Sequence, residues 1–144
     1  MPLMAKKQLS QQSVSTFAGV IQQAMIKQEL DQLMSYFNVD AVIQITLPKF
    51  MGGEIITTTK DYLAMLAISW NMTAEYVYEY KDLVIELAED KQTATIKETV
   101  SEKMLLDGEV MTSTVAKQIT RIKLIADKPM IVAINSNVRL VSAD

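Results

Sequence analysis

The tightest constraint on this chain is a change of hydrophobic period near its midpoint. Before residue 71 three stretches repeat apolar residues at three and four; beyond residue 75 the pattern becomes alternation, in four long segments separated by short turns. Consecutive alternating runs joined by tight turns predict antiparallel hairpins, and the preceding amphipathic helices need an apolar face to cover. The fold class expected is therefore α+β, with helices packed on a mainly antiparallel sheet.

The first helix is read from Val14, Phe17, Ala18, Ile21 and Met25, which share one face between residues 10 and 28. A second, shorter one is carried by Leu30, Leu33, Met34 and Phe37, with Asp31 in its first turn and Asn38 at its end. Residues 40–47 are rich in Val and Ile and stop at Pro48, so they read as a strand, followed by a loop through Gly52 and Gly53 and a short strand at 54–57. Thr58 with Asp61 three residues on caps a third helix over 59–71. The four alternating segments are 76–87, 93–106, 110–125 and 130–141.

At 144 residues, 49% hydrophobic and 22% charged, the chain is expected to fold as one domain over 1–144, with residues 1–9 flexible. The absence of Cys and His removes disulfides, thiolate nucleophiles and imidazole bases, leaving Asp, Glu, Lys or Tyr for any proton transfer. A net charge of −3 with scattered Lys and Arg argues against nucleic-acid binding. No apolar run approaches a membrane span, so no membrane partner is expected. A cytoplasmic protein is the expectation, with a signal peptide outside this sequence as the alternative. No cofactor and no metal site are expected.

Asp107-Gly108 tolerates the positive φ of a two-residue hairpin turn. Counting outward from it sets Leu106 against Glu109, Met104 against Met111, Val100 against Val115 and Ile96 against Ile119, with Glu98 facing Lys117 and Glu102 facing Ser113 on the same apolar face. The other face pairs Thr95, Lys97, Thr99 and Ser101 with Thr114, Ala116, Gln118 and Thr120. Ile122 and Leu124 are out of phase with Ile119, which predicts a bulge near Thr120 or Arg121.

This order of elements, with the segment Tyr36-Phe37-Asn38-Val39-Asp40-Ala41-Val42-Ile43 and the run from Asp82 to Met104, resembles the nuclear transport factor 2-like superfamily and its SnoaL-like branch, of cystatin-like fold. The resemblance spans nearly the whole chain and implies a cone: three N-terminal helices in the concave face of a curved sheet, an apolar cavity, and commonly a homodimer through the sheet. Steroid isomerases of this superfamily place a carboxylate base at the end of the first strand, where this chain has Ile45, Thr46 and Leu47. Its histidine-dependent dehydratases are excluded outright.

The candidate pocket residues are Glu98, Lys117, Glu102, Tyr62 and Trp70. Glu98 and Lys117 together inside an apolar cavity would perturb each other's ionisation and anchor a ligand or act as acid and base; the plainer alternative is a cross-strand ion pair at the rim. Glu102 adds a second carboxyl, too few for a metal site. Tyr62 and Trp70 stand at opposite ends of the third helix as cavity-mouth candidates, against the plainer role of core packing. Tyr76, Tyr78 and Tyr80 share one strand face. The function expected first is noncatalytic binding of an apolar small molecule by a homodimer. Assembly through the outer sheet face ranks second, and an isomerase, dehydratase or cyclase using a buried Glu third.

Overall fold

The computed structural model describes residues 7–72 and 75–141. Helix α1 (Gln11–Ile26) opens on a reciprocal cap, in which the Ser13 N–H donates to Ser10 Oγ at 3.0 Å and the Ser10 N–H to Ser13 Oγ at 2.8 Å. Val14, Phe17, Ala18, Gln22 and Met25 form its buried stripe. Helix α2 (Leu30–Tyr36) runs directly into strand β1 (Phe37–Thr46) with no loop, so Phe37 begins the strand and does not close the helix. A single 3-10 turn, Lys49–Met51, and Gly52 at φ 120° lead to β2 (Glu54–Thr58). Thr58 then caps α3 (Thr59–Asn71).

The second half supplies β3 (Glu75–Leu87), β4 (Thr93–Leu106), β5 (Glu109–Ile125) and β6 (Lys128–Leu140). The six strands lie in the order β2-β1-β6-β5-β4-β3, all neighbours antiparallel except β1 and β6, which run parallel. The sheet is curved and unclosed, with β2 and β3 as its edges. The helices lie on the face that buries Ile43, Ile96, Val100, Ile122 and Ile131, and add Leu33 and Leu63 to that core.

The second-half strands follow the sequence reading in part, and where they depart from it the cause is a local bulge. The β4–β5 hairpin turns on Asp107 and Gly108, at φ 52° and 80°, as a two-residue turn with positive φ requires. Just beyond it the register slips by one: Leu105 faces Val110 but Met104 faces Thr112, leaving Met111 as an extra residue on β5. A one-residue insertion sends every later side chain of the strand to the other face. Glu98 therefore faces Gln118, Val100 faces Ala116 and Ile96 faces Thr120, and the expected pairing of Glu98 with Lys117 is not formed.

The bulge expected near Thr120 or Arg121 is present in the β5–β6 pairing, where Arg121 faces Ala133 and Ile122 faces Ile131, while the β4–β5 ladder there is unbroken. A further bulge interrupts β3 between Lys81 and Val84, with Asp82 at φ 58°. Of the residues expected to be flexible, 1–6 lie outside the described residues, whereas Leu9 is buried and its N–H donates to the Lys91 carbonyl at 2.8 Å. An apolar side chain with a backbone bond beside it joins that segment to the β3–β4 turn. Among the described residues no helix is long and apolar enough to cross a membrane.

Candidate functional site

The sheet and α3 leave an open cavity of about 290 Å³ between them, at the small end of the roughly 300–1,000 Å³ typical of small-molecule sites. Helical period builds one wall. Tyr62, Met65, Leu66 and Ser69 recur at three and four, so one stripe of α3 faces the space, while Leu63 and Trp70 lie on flanks buried in the core. Strand alternation builds the other walls: Ile45 from β1, Glu102 and Met104 from β4, Thr112, Thr114 and Gln118 from β5, and Ile134, Ser136 and Val138 from β6. Leu47, Met51 and Ile55 complete the lining around the β1–β2 connection.

Glu102 is the single carboxyl in this lining. It also borders a second, deeper space of about 30 Å³ with Tyr62, Tyr78, Gln118 and Thr120, enough for roughly one water among several polar groups. The Tyr76 hydroxyl donates to Glu102 Oε2 in a short hydrogen bond. Burial pushes the Glu102 carboxyl above its ordinary range, and the Tyr76 bond, which favours the charged form, opposes that rise. Burial likewise raises the hydroxyls of Tyr62, Tyr76 and Tyr78, helped in each case by the Glu102 charge, so all three stay protonated donors.

Glu98 occupies a different environment. It is buried under α1, where Gln22 Nε2 donates to its Oε2 at 2.9 Å. Burial raises its pKa and the Gln22 bond partly offsets this. Glu98 does not line the larger cavity, so β4 presents one carboxyl to a helix and the next to open space.

Of the five candidate residues, the structure brings Glu102 and Tyr62 together at the cavity. Trp70 is 9% exposed and packs edge-on against Tyr76, with ring centroids 5.9 Å apart. Its buried indole N–H makes no hydrogen bond of good geometry among the described residues. Lys117 is exposed on the outer sheet face, in a cleft with Lys81, Asp82, Thr99, Asn137 and Arg139. It cannot reach the cavity because the Met111 bulge has turned its part of β5 over.

The sequence reading did not single out Gln22, Gln118 or Ser136. Gln22 was detectable, since it stands four residues after Ala18 and three before Met25 on the buried stripe. Among the described residues no cluster of three or more His, Cys, Asp or Glu could hold a metal ion.

No protein-family model matches the chain, and no curated protein does. Solved structures do match it. The beta subunit of benzoate 1,2-dioxygenase from Burkholderia mallei is similar with a TM-score of 0.72 and 13% identity, over 93% of this chain and 93% of that one. An NTF2-like protein of unknown function from Pseudomonas putida gives 0.69 and 12%, over 90% and 88%. A protein of unknown function with a cystatin-like fold from Nostoc punctiforme gives 0.65 and 12%, over 92% and 95%. At these identities the likeness is one of fold: the chain has the nuclear transport factor 2-like, or cystatin-like, cone fold. What the cone holds is decided by its own lining residues.

Proposed function

We propose that this protein binds an apolar small molecule in the cone, with Glu102 and Tyr62 fixing the polar end of the ligand. One observation carries the reading: a cavity open to solvent, walled mainly by aliphatic and Met side chains, has a lone carboxyl and a tyrosine hydroxyl among its polar groups, the rest being neutral hydroxyls and one amide. A cavity lined this way gains by exchanging water for an apolar ligand, while the polar groups set its orientation.

The methionines supply the test. Met51, Met65 and Met104 line the cavity, Met34 lines a separate groove beside α2 and α3, and Met72 and Met111 are exposed elsewhere. Titration of methyl-labelled protein with hexanol should shift the first three resonances saturably and leave Met72 and Met111 in place. Shifts at Met34 alone, or none, would refute the cavity as the binding site.

Proton-transfer chemistry is the second reading, favoured by a carboxyl with a raised pKa beside a protonated tyrosine in the same cavity. It requires Glu102-dependent exchange of solvent deuterium into a bound carbonyl compound at the carbon next to the carbonyl. Absence of exchange in the native protein removes it.

The protein is further proposed to be a homodimer through the outer sheet face. On β5 the outward residues Val115 and Ile119 set apolar side chains among Ser113, Lys117 and Arg121, a mixed surface that a second copy could cover. Ile119→Lys should then convert a dimer to monomer in sedimentation velocity; a native protein that is monomeric at high concentration would rule the interface out.

A further inference from the structure

We infer that the ligand of this cavity is a lipophilic amine, bound as its ammonium ion against Glu102. The inference rests on the proposed ligand-binding role of the cavity and adds the charge of what it takes. Among the described residues lining the cavity there is one carboxyl and no Lys or Arg. Lys103 and Lys117, the nearest cations in sequence and register, are exposed on the outer face.

A second carboxyl, Glu98, lies four residues before Glu102 on the same face of β4 and accepts from Gln22, not from a cation. The field inside the cone is therefore set by carboxyls and by hydroxyl and amide dipoles. A ligand carboxylate entering it would be desolvated beside a like charge with nothing to neutralise it. An alcohol can donate one hydrogen bond. An ammonium brings the missing counter-charge and three donors.

Glu102 has the capacity to accept it. Oε2 takes the Tyr76 hydroxyl, and a carboxylate offers about four lone-pair sites in all, so accepting positions remain. Gln118, Ser136 and Ser69 line the same cavity with further carbonyl and hydroxyl acceptors. The apolar remainder of the ligand would lie along Met65 and Leu66 of α3 and Ile45 of β1. Burial disfavours the Glu102 anion in the empty cavity, and a cation entering beside it favours the ionised form of that carboxyl.

The test compares hexylamine, hexanol and hexanoate at pH 7.5 by the Met51, Met65 and Met104 methyl resonances. Hexylamine should bind at least tenfold more tightly than hexanol, with hexanoate weakest. In Glu102→Gln the advantage of the amine over the alcohol should vanish while hexanol still binds. Equal or tighter binding of hexanol or hexanoate by the native protein overturns the amine assignment and leaves the cavity reading standing. Failure of all three probes to move the cavity methyls overturns both. The native series decides the matter even if the variant does not fold.

Discussion

The Tyr76 hydroxyl donates to Glu102 Oε2 along a diagonal of the β3–β4 ladder, in which Glu102 opposes Tyr78 and Tyr76 opposes Met104. Diagonal neighbours two residues out of register are within reach of a long aromatic side chain, so an ordinary sheet pairing delivers a donor to the carboxyl. Tyr76→Phe removes that donor and keeps the ring. A buried acceptor left without its partner costs about 1–3 kcal/mol, so urea denaturation at pH 7.5 should show a loss of that size. The Glu102 resonance should titrate at higher pH than in the native protein, because the bond that opposes desolvation is gone. Unchanged stability and titration would mean that the hydroxyl contributes nothing.

Stability should rise on mild acidification. Burial raises the pKa of Glu98 and Glu102 above the ordinary 4.5. Between 4.5 and their raised folded values, the native protein holds protons that the unfolded chain has released, so stability falls as pH increases through that window. Below the ordinary value both states are protonated and the contribution is complete. The melting temperature should therefore be higher at pH 5 than at pH 7.5. Glu102→Gln and Glu98→Gln should each flatten this slope and raise the midpoint at pH 7.5; two variants with the native slope would contradict the assignment.

Gln22 and Glu98 form a second pair, joined at 2.9 Å between α1 and β4 and buried on both sides. Gln22→Leu keeps the bulk but leaves a buried carboxylate without its donor, at a cost of about 1.5–3 kcal/mol at neutral pH. Glu98→Leu added to it should recover much of the loss, because removing both polar partners avoids the orphaned charge. A double-mutant cycle in urea measures the coupling, and additive losses would show that the bond is not formed.

The carboxyls of β4 were legible in the sequence because alternation along one strand is independent of its neighbours. Ile96, Glu98, Val100, Glu102 and Met104 must share a face however β5 is registered. The helices were legible from their stripes and caps, and the cone from the order of elements. The face of β5 was not, for a reason rooted in its lining: its inward side carries Thr114, Ala116, Gln118 and Thr120 over a cavity with polar groups, and its outward side carries Val115 and Ile119 beside Lys117 and Arg121. A rule that sends the larger apolar side chains inward fails on a strand that floors a cavity with polar groups. The mismatch of Ile119 with Ile122 was the trace of this, since Ile122 is fully buried and Ile119 points out. The bulge at Met111 leaves no such trace, because Met111 and Thr112 fit either face of a strand.

That displaced register makes Lys117 decisive. In a bulge-free hairpin Lys117 would neutralise Glu98 inside the cone, and Lys117→Ala would leave a buried carboxylate unpaired, costing about 3–5 kcal/mol. In the observed register Lys117 is an exposed residue between Thr99 and Asn137 on the outer face, and Gln22 alone donates to Glu98 among the described side chains. Lys117→Ala should therefore change stability by no more than about 0.5 kcal/mol, the usual range for a surface substitution away from special features. Hexanol affinity should be unaltered, since the side chain is not in the cavity lining. Chemical denaturation and the methionine-methyl titration measure both quantities on one sample. A loss of several kcal/mol would place Lys117 back beside Glu98 and remove the argument for a cavity without a cation.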